Sequence, residues 1–253
     1  MNHFTEKVTI FDISFSKIDF RSLVDSLIKH DFKNGKGYIC FPDTSVITKA
    51  DKNVKLKKIL NNSLFTLPDG KPLEFYAKFR RIKHFRTISG FWLIKDLLNT
   101  DLNHFFYGSS EYYLVEMIRK LKLEFPQANI TGFRSPPLID LCNVMNNRQI
   151  IEDINYINTF RPDIIWVGLS SPKQDYLMYE YYNKLERGVM VGVGGVFDYL
   201  AGKTKISPEW IKKIGFRWLY RFLQEPGRLW SKYLYSILQF VVLVVKDLTR
   251  NLF

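Results

Sequence analysis

Apolar and polar residues alternate from Val8 to Phe11, and Ile13–Phe15 continues the alternation after Asp12. That pattern predicts an N-terminal strand or hairpin. Phe20–His30 switches to helical periodicity, and Tyr38–Phe41 is a short apolar strand. Thr44–Leu60 reads as one helix, Leu64–Leu67 as a strand stopping at Pro68-Asp69-Gly70, and Pro72–Phe79 as a helix. A second set of alternating units follows. His104–Tyr107 is a strand running into Gly108-Ser109-Ser110, and Glu111–Glu124 is a helix with apolar Leu114, Ile118 and Leu121. Asn129–Phe133 is a strand, Arg148–Phe160 a helix ended by Arg161-Pro162, Asp163–Leu169 a strand, Lys173–Arg187 a helix and Val189–Val193 a strand. Strands alternating with helices predict an α/β fold whose mainly parallel sheet is covered by helices on both faces. Ligands of such sheets sit beyond the carboxyl ends of the strands.

The pattern changes after Gly202. Pro208–Leu223 and Gly227–Leu248 read as two helices with no strand between them. A boundary near residue 203 divides a core, 1–202, from a helical, basic and amphipathic appendage, 203–253. Within the appendage, Tyr233–Val245 is apolar but only 13 residues long, and Ser236 and Gln239 interrupt it. A membrane-spanning helix needs about 20 apolar residues. This segment therefore either packs on the core or lies in a membrane interface with its apolar side sunk.

Charge sharpens that choice. The chain has 253 residues, enough for a sizeable core, and a net charge of +12. A basic surface attracts nucleic acid, anionic lipid or a phosphate-bearing substrate. From Lys203 to Lys232 the cations are Lys203, Lys205, Lys212, Lys213, Arg217, Arg221, Arg228 and Lys232, opposed only by Glu209 and Glu225. Because these cations adjoin an apolar helix and no nucleic-acid motif appears, a nucleic-acid partner is the weaker reading. Cys40 and Cys142 stand far apart in apolar surroundings and are expected to be buried thiols. The N-terminus shows no signal-peptide pattern.

Four strand-end segments offer chemistry. In Phe41-Pro42-Asp43-Thr44-Ser45, Asp43 and Thr44 either cap the next helix or contact a ligand. In Leu67-Pro68-Asp69-Gly70-Lys71-Pro72, Asp69 either forms the turn or acts as a base. Gly168-Leu169-Ser170-Ser171-Pro172-Lys173-Gln174 leads into a helix whose first amides suit a phosphate. Val191-Gly192-Val193-Gly194-Gly195-Val196-Phe197-Asp198 is glycine-rich but lacks the GxGxxG spacing of a dinucleotide loop. No segment reads Asp-x-Asp, the short acidic motif with which many nucleotide-sugar transferases hold a divalent cation. Arginines and lysines of the C-terminal cluster are suited to neutralise a leaving diphosphate instead.

These segments, in this order, resemble the WecG/TagA/CpsF family of bacterial glycosyltransferases over roughly Val8 to Lys232. The resemblance is carried by Cys40–Ser45, Leu67–Leu73, Arg86-Thr87-Ile88-Ser89-Gly90, Asp163–Gln174, Gly192–Gly202 and Trp218–Trp230. It implies a Rossmann-like core and an appendage that helps close the active site and docks at the membrane. It also implies inverting sugar transfer from a UDP-sugar to a polyprenyl-diphosphate-linked saccharide, without an obligatory metal or other cofactor, at the inner face of the plasma membrane. Products of the family feed teichoic acid linkage units, enterobacterial common antigen, capsule or exopolysaccharide.

Carried over by position, Asp69 matches the general base, Gln174 a pocket glutamine, and Arg221 and Arg228 appendage arginines that meet the diphosphate. Ser231 stands where a third arginine is expected, and Lys232 is its substitute. Phe41-Pro42-Asp43 replaces the Thr-Pro-Asn of many members. Arg86 lies one place earlier than the expected arginine, so either Arg86 or Thr87 fills that site. Asp43, Thr44, Gly108, Ser109 and Gly194 complete the candidate binding positions. A relative that binds UDP or lipid without turnover is the alternative, and a homo-oligomer is left open.

Overall fold

The computed structural model describes residues 6–137, 147–208, 211 and 216–250, apart from the side chains of residues 217–218, 228–234 and 250. The N-terminal alternation forms a hairpin, β1 (Lys7–Ile10) paired antiparallel with β2 (Ile13–Ser16). Its two-residue turn, Phe11 and Asp12, has positive φ at both positions (54° and 58°), the backbone that matches the twist of the flanking strands.

Six further strands form one parallel sheet: β3 (Gly37–Cys40), β4 (Phe65–Thr66), β5 (His104–Gly108), β6 (Ile130–Arg134), β7 (Ile164–Gly168) and β8 (Val189–Gly192). Their spatial order is β4-β3-β8-β7-β5-β6, and every pairing is parallel. The fold is therefore α/β and Rossmann-like. Tyr38, Ile39, Phe105, Phe106, Ile164, Trp166, Met190 and Val191 are buried, as a sheet covered on both faces requires.

The helices are α1 (Phe20–Ile28), α2 (Thr44–Asp51), α3 (Val54–Asn61), α4 (Lys71–Phe79), α5 (Gly90–Leu97), α6 (Glu111–Glu124), α7 (Arg148–Thr159), α8 (Lys173–Tyr181), α9 (Val196–Leu200), α10 (Arg217–Gln224) and α11 (Pro226–Arg250). The single helix predicted over Thr44–Leu60 is two. Asn53 interrupts it and caps α3, its side chain accepting from the Leu56 amide at 3.0 Å. The predicted Lys173–Arg187 helix stops at Tyr181 and gives way to a short 3-10 turn. α5 and α9 were not foreseen from the pattern. Cys40 is a buried free thiol, and Cys142 lies outside the described residues.

One face of the sheet carries the hairpin, α2, α3, α4, α7 and α8, and the other carries α1, α5, α6 and α9. Loops leaving β3 and β7 thus turn to one face, while the loop leaving β8, the strand between them, turns to the other. Diverging neighbours open a crevice at the carboxyl ends of these three strands.

The appendage ends in α11, which lies along α2. Phe240 and Leu243 are buried in the hairpin-side core, and the Phe240 ring meets Phe11 edge-on at 5.8 Å. Asp247 pairs with Arg80 and accepts from the Tyr76 hydroxyl. The opposite face presents Tyr235, Leu238, Val241, Val242 and Val245 to solvent. Both readings of the apolar segment thus have a physical basis, one for each side of the same helix. No helix among the described residues is long and apolar enough to cross a membrane.

Candidate active site

Five loops meet along the carboxyl edge of the sheet, stitched by backbone hydrogen bonds. Leu67 N donates to Cys40 O at 2.8 Å and Asp69 N to Pro42 O at 3.2 Å, which binds the β4 turn to the β3 loop. Val193 N donates to Val167 O at 3.0 Å and Ser109 N to Gly168 O at 3.2 Å, which ties in the β8, β7 and β5 loops.

Asp69 is half-buried at the end of the short β4, and Gly70, at φ +91°, turns the chain into α4. The carboxylate therefore sits on a fixed turn at the rim. Asp43 is half-buried beside it in the chain's neighbouring loop, and its side chain accepts from the Val46 amide at 2.9 Å. Asp43 is thus the N-cap of α2, with Thr44 its first helical residue.

Gln174, in the first turn of α8, reaches across to the end of β8 and is 2% exposed. Its amide nitrogen donates to Gly192 O at 2.9 Å, while Oε1 has no hydrogen-bond partner among the described residues. Gly194 has φ +53°, which favours glycine, and a Cβ there would also stand 3.2 Å from the Leu169 carbonyl oxygen and 3.4 Å from Gln174 Oε1. Gly108 has a similar reason: its φ is +134°, and a Cβ there would stand 2.8 Å from the Gly168 backbone. Gly108 pairs with Gly168 at the end of β5, and Ser109 follows it into the loop. The Ser109 carbonyl accepts from Ser135 Oγ at 2.8 Å.

Next to Gln174 lies Asp175, 1% exposed and not singled out from the sequence. Burial pushes its pKa up to about 7; hydrogen bonds from Cys40 and Ser171 oppose this, and the Asp43 charge adds to it. Asp175 Oδ2 has no hydrogen-bond partner among the described residues. Burial, reinforced by Asp175, also holds the Cys40 thiol well above its ordinary pKa. Cys40 is therefore an inert hydrogen-bonding neighbour rather than a thiolate. A charged residue immediately after a helix-opening glutamine reads as solvated in sequence. Only the packing of α8 on β3 shows otherwise.

Arg221 reaches the site from α10. Its Nη2 approaches Asp198 Oδ2 at 3.4 Å, and its guanidinium carbon lies 5.2 Å from the Tyr199 ring centroid. A Cβ at Gly195 would stand 2.5 Å from Nη2, so the guanidinium rests against the β8 loop. α10 is held there by Thr204 Oγ1, 3.2 Å from Glu225, and by Gln224, which bonds Lys205 N and O. Asp198 and Tyr199, the positioning partners of Arg221, lie inside the Gly192–Gly202 segment. The side chains of Arg228 and Lys232 are outside the described residues.

Arg86 and Thr87 lie on the segment that returns from α4 to Gly90. Thr87 donates to Glu74 Oε2 through its amide (3.4 Å) and hydroxyl (3.2 Å), and Lys71 Nζ lies 2.9 Å from the same carboxylate. Burial alone would raise the Glu74 pKa, but the bonds from Lys71 and Thr87 prevail and lower it. Thr87 is therefore engaged in a clasp, whereas Arg86 is exposed. Among the described residues, no three His, Cys, Asp or Glu side chains are grouped closely enough to hold a metal ion.

A parallel α/β sheet whose β3, β4 and β8 are followed by Asp43, Asp69 and Asp198, the last paired with Arg221 of the appendage, defines the class: a Rossmann-like protein with its candidate site at the carboxyl edge of the sheet. The sequence model of the glycosyl transferase WecG/TagA/CpsF family matches residues 8–252. The chain belongs to that family and is a glycosyltransferase. It is similar to an N-acetylglucosaminyldiphosphoundecaprenol N-acetyl-beta-D-mannosaminyltransferase of Bacillus spizizenii, at 27% identity over 94% of this chain and 90% of the relative. Proteins of the same name from Bacillus subtilis and Staphylococcus aureus are each 26% identical, over 94% and 89% of this chain and 91% and 87% of the relatives.

Proposed function

We propose that this protein moves a hexose or N-acetylhexosamine-type sugar from a UDP-sugar to a polyprenyl-diphosphate-linked saccharide, with inversion, in cell-surface polysaccharide synthesis. The names of the relatives support the lipid-diphosphate acceptor and an N-acetylmannosamine-type sugar. The observation that carries the mechanism is the placement of Asp69 on a fixed turn at the sheet edge, bonded through its backbone to the β3 loop.

In this reading the Asp69 carboxylate takes the proton of the acceptor hydroxyl as that oxygen attacks the anomeric carbon. The bond from that carbon to the diphosphate oxygen breaks, and UDP leaves with the electron pair. Gln174 Oε1 accepts a hydrogen bond from the donor. Arg221, with Arg228 and Lys232, neutralises the diphosphate and does the work that a metal does in other transferases. The outward apolar face of α11 and the basic residues of the appendage rest on the anionic inner face of the plasma membrane, where the acceptor resides.

Incubation with a panel of UDP-sugars and a short-chain lipid-diphosphate saccharide tests this reading. One donor is expected to give UDP and an acceptor heavier by one sugar, equally in the presence of EDTA. UDP binding without turnover across the panel would make the protein a binding relative instead.

A further inference from the structure

The segment 71–90 leaves the catalytic edge just after Asp69 and returns to it at Gly90, whose Cβ position faces Val193 and Val196. Glu74, paired with Lys71 in its own helical turn, fastens the outgoing arm to the returning one through Thr87. Ile82 and Phe85 anchor the tip inward; the Phe85 ring meets Phe15 edge-on at 5.5 Å. The segment is thus a braced projection beside the candidate base.

Its outer surface is unusual in two independent ways. Phe75 and Phe79, one helical turn apart on α4, are 55% and 67% exposed. The same stretch holds Lys71, Lys78, Arg80, Arg81, Lys83 and Arg86 against one acid, Glu74. Lys71 is taken by Glu74 and Arg80 by Asp247. Lys78, Arg81, Lys83 and Arg86 are exposed and make no ion pair among the described residues. A fold gains nothing from exposing two phenylalanines beside four uncompensated cations. An anionic bilayer rewards both, through apolar burial below the headgroups and charge attraction at them.

We propose that α4 and the following turn form a second docking site for an anionic lipid surface, separate from the appendage, which sets the catalytic edge against the bilayer. The proposal extends the membrane reading above, but its test does not depend on transfer. The Asp247 contacts with Tyr76 and Arg80 join α4 to α11, so the two docking elements are mechanically coupled. Two attachments fix an orientation where one leaves rotation free.

Sedimentation of the full-length protein with vesicles of phosphatidylcholine alone, or with added phosphatidylglycerol, tests this. Wild type is expected to favour the anionic vesicles. The triple variant Lys78→Glu, Arg81→Glu, Lys83→Glu should lose at least about a hundredfold in partitioning, since each of the three basic side chains near such a surface contributes roughly a fivefold factor. Phe75→Ser with Phe79→Ser should weaken binding to both vesicle types. Both variants should keep the wild-type melting temperature. They should also keep wild-type turnover with a water-soluble short-chain acceptor, while losing turnover with a long-chain acceptor in vesicles. Wild-type partitioning of folded variants, or retention of the patch on duplex DNA in preference to anionic vesicles, would overturn the proposal. Absence of turnover in wild type would instead count against the transfer reading and leave the vesicle result standing.

Discussion

The backbone amide of Asp69 donates to the carbonyl of Pro42 at 3.2 Å. That bond joins the turn after an edge strand of two residues to the loop after its neighbour β3. Asp69 thereby gains a fixed position that the short β4 alone would not supply. The same loop carries Asp43, whose charge adds to the raised pKa of Asp175. The β3 loop is consequently the bridge between the candidate base at the rim and the buried carboxyl beneath it.

Gln174 bonds the protein through its amide nitrogen, and under the proposed function its Oε1 is offered to the donor. Gln174→Leu removes the bond to Gly192 O and the unpartnered Oε1 together. UDP affinity measured by calorimetry is expected to fall about tenfold to a hundredfold, the range for a lost hydrogen bond in a buried site. The carbonyl left without its partner should also cost about 1–3 kcal/mol of stability in urea unfolding.

Asp175 gives the fold a pH dependence of definite sign. Its folded pKa of about 7 lies above the ordinary 3.8. Between those values the folded state keeps a proton that the unfolded state releases, so stability falls as pH rises through the window. Asp175→Asn removes this loss. The variant should melt higher than wild type at pH 8 and gain little at pH 4, with the difference between the two conditions reaching up to about 4 kcal/mol. Calorimetric melting temperatures across this pH range check the sign.

Phe240 tests whether the appendage helix is part of the core. Its side chain is buried with Phe11 and Tyr76, which stack at 4.9 Å. Phe240→Ala is expected to cost about 3–5 kcal/mol in equilibrium unfolding, as for other buried phenylalanines. Leu238→Ala, on the exposed face of the same helix, should change stability by less than about 1 kcal/mol.

The sheet was legible because its strands are apolar runs separated by helical periods, and Val189–Val193 or Asp163–Leu169 admits little else. α5 escaped notice because Phe91, Leu93, Ile94 and Leu97 form a dense apolar run with weak alternation, and α9 because five residues hardly establish a period. The positions of Asp69 and Gln174 at strand-to-helix junctions, and of Arg221 on the appendage, were legible from their motif segments. Asp175 was not, since its burial depends on α8 packing against Cys40, a contact 135 positions away in sequence. Thr87 illustrates the opposite limit: its motif is visible, but its bond to Glu74 depends on how the chain returns from α4.

The central claim is that the Asp69 carboxylate removes the acceptor proton, and single-turnover transfer by wild type and Asp69→Asn tests it most directly. The variant keeps the size of the side chain and the backbone bond to Pro42, so UDP affinity and melting temperature should be unchanged. The transfer rate should fall about 10²- to 10⁴-fold, the range contributed by a positioned general base. Wild-type transfer by a correctly folded Asp69→Asn protein would contradict the account.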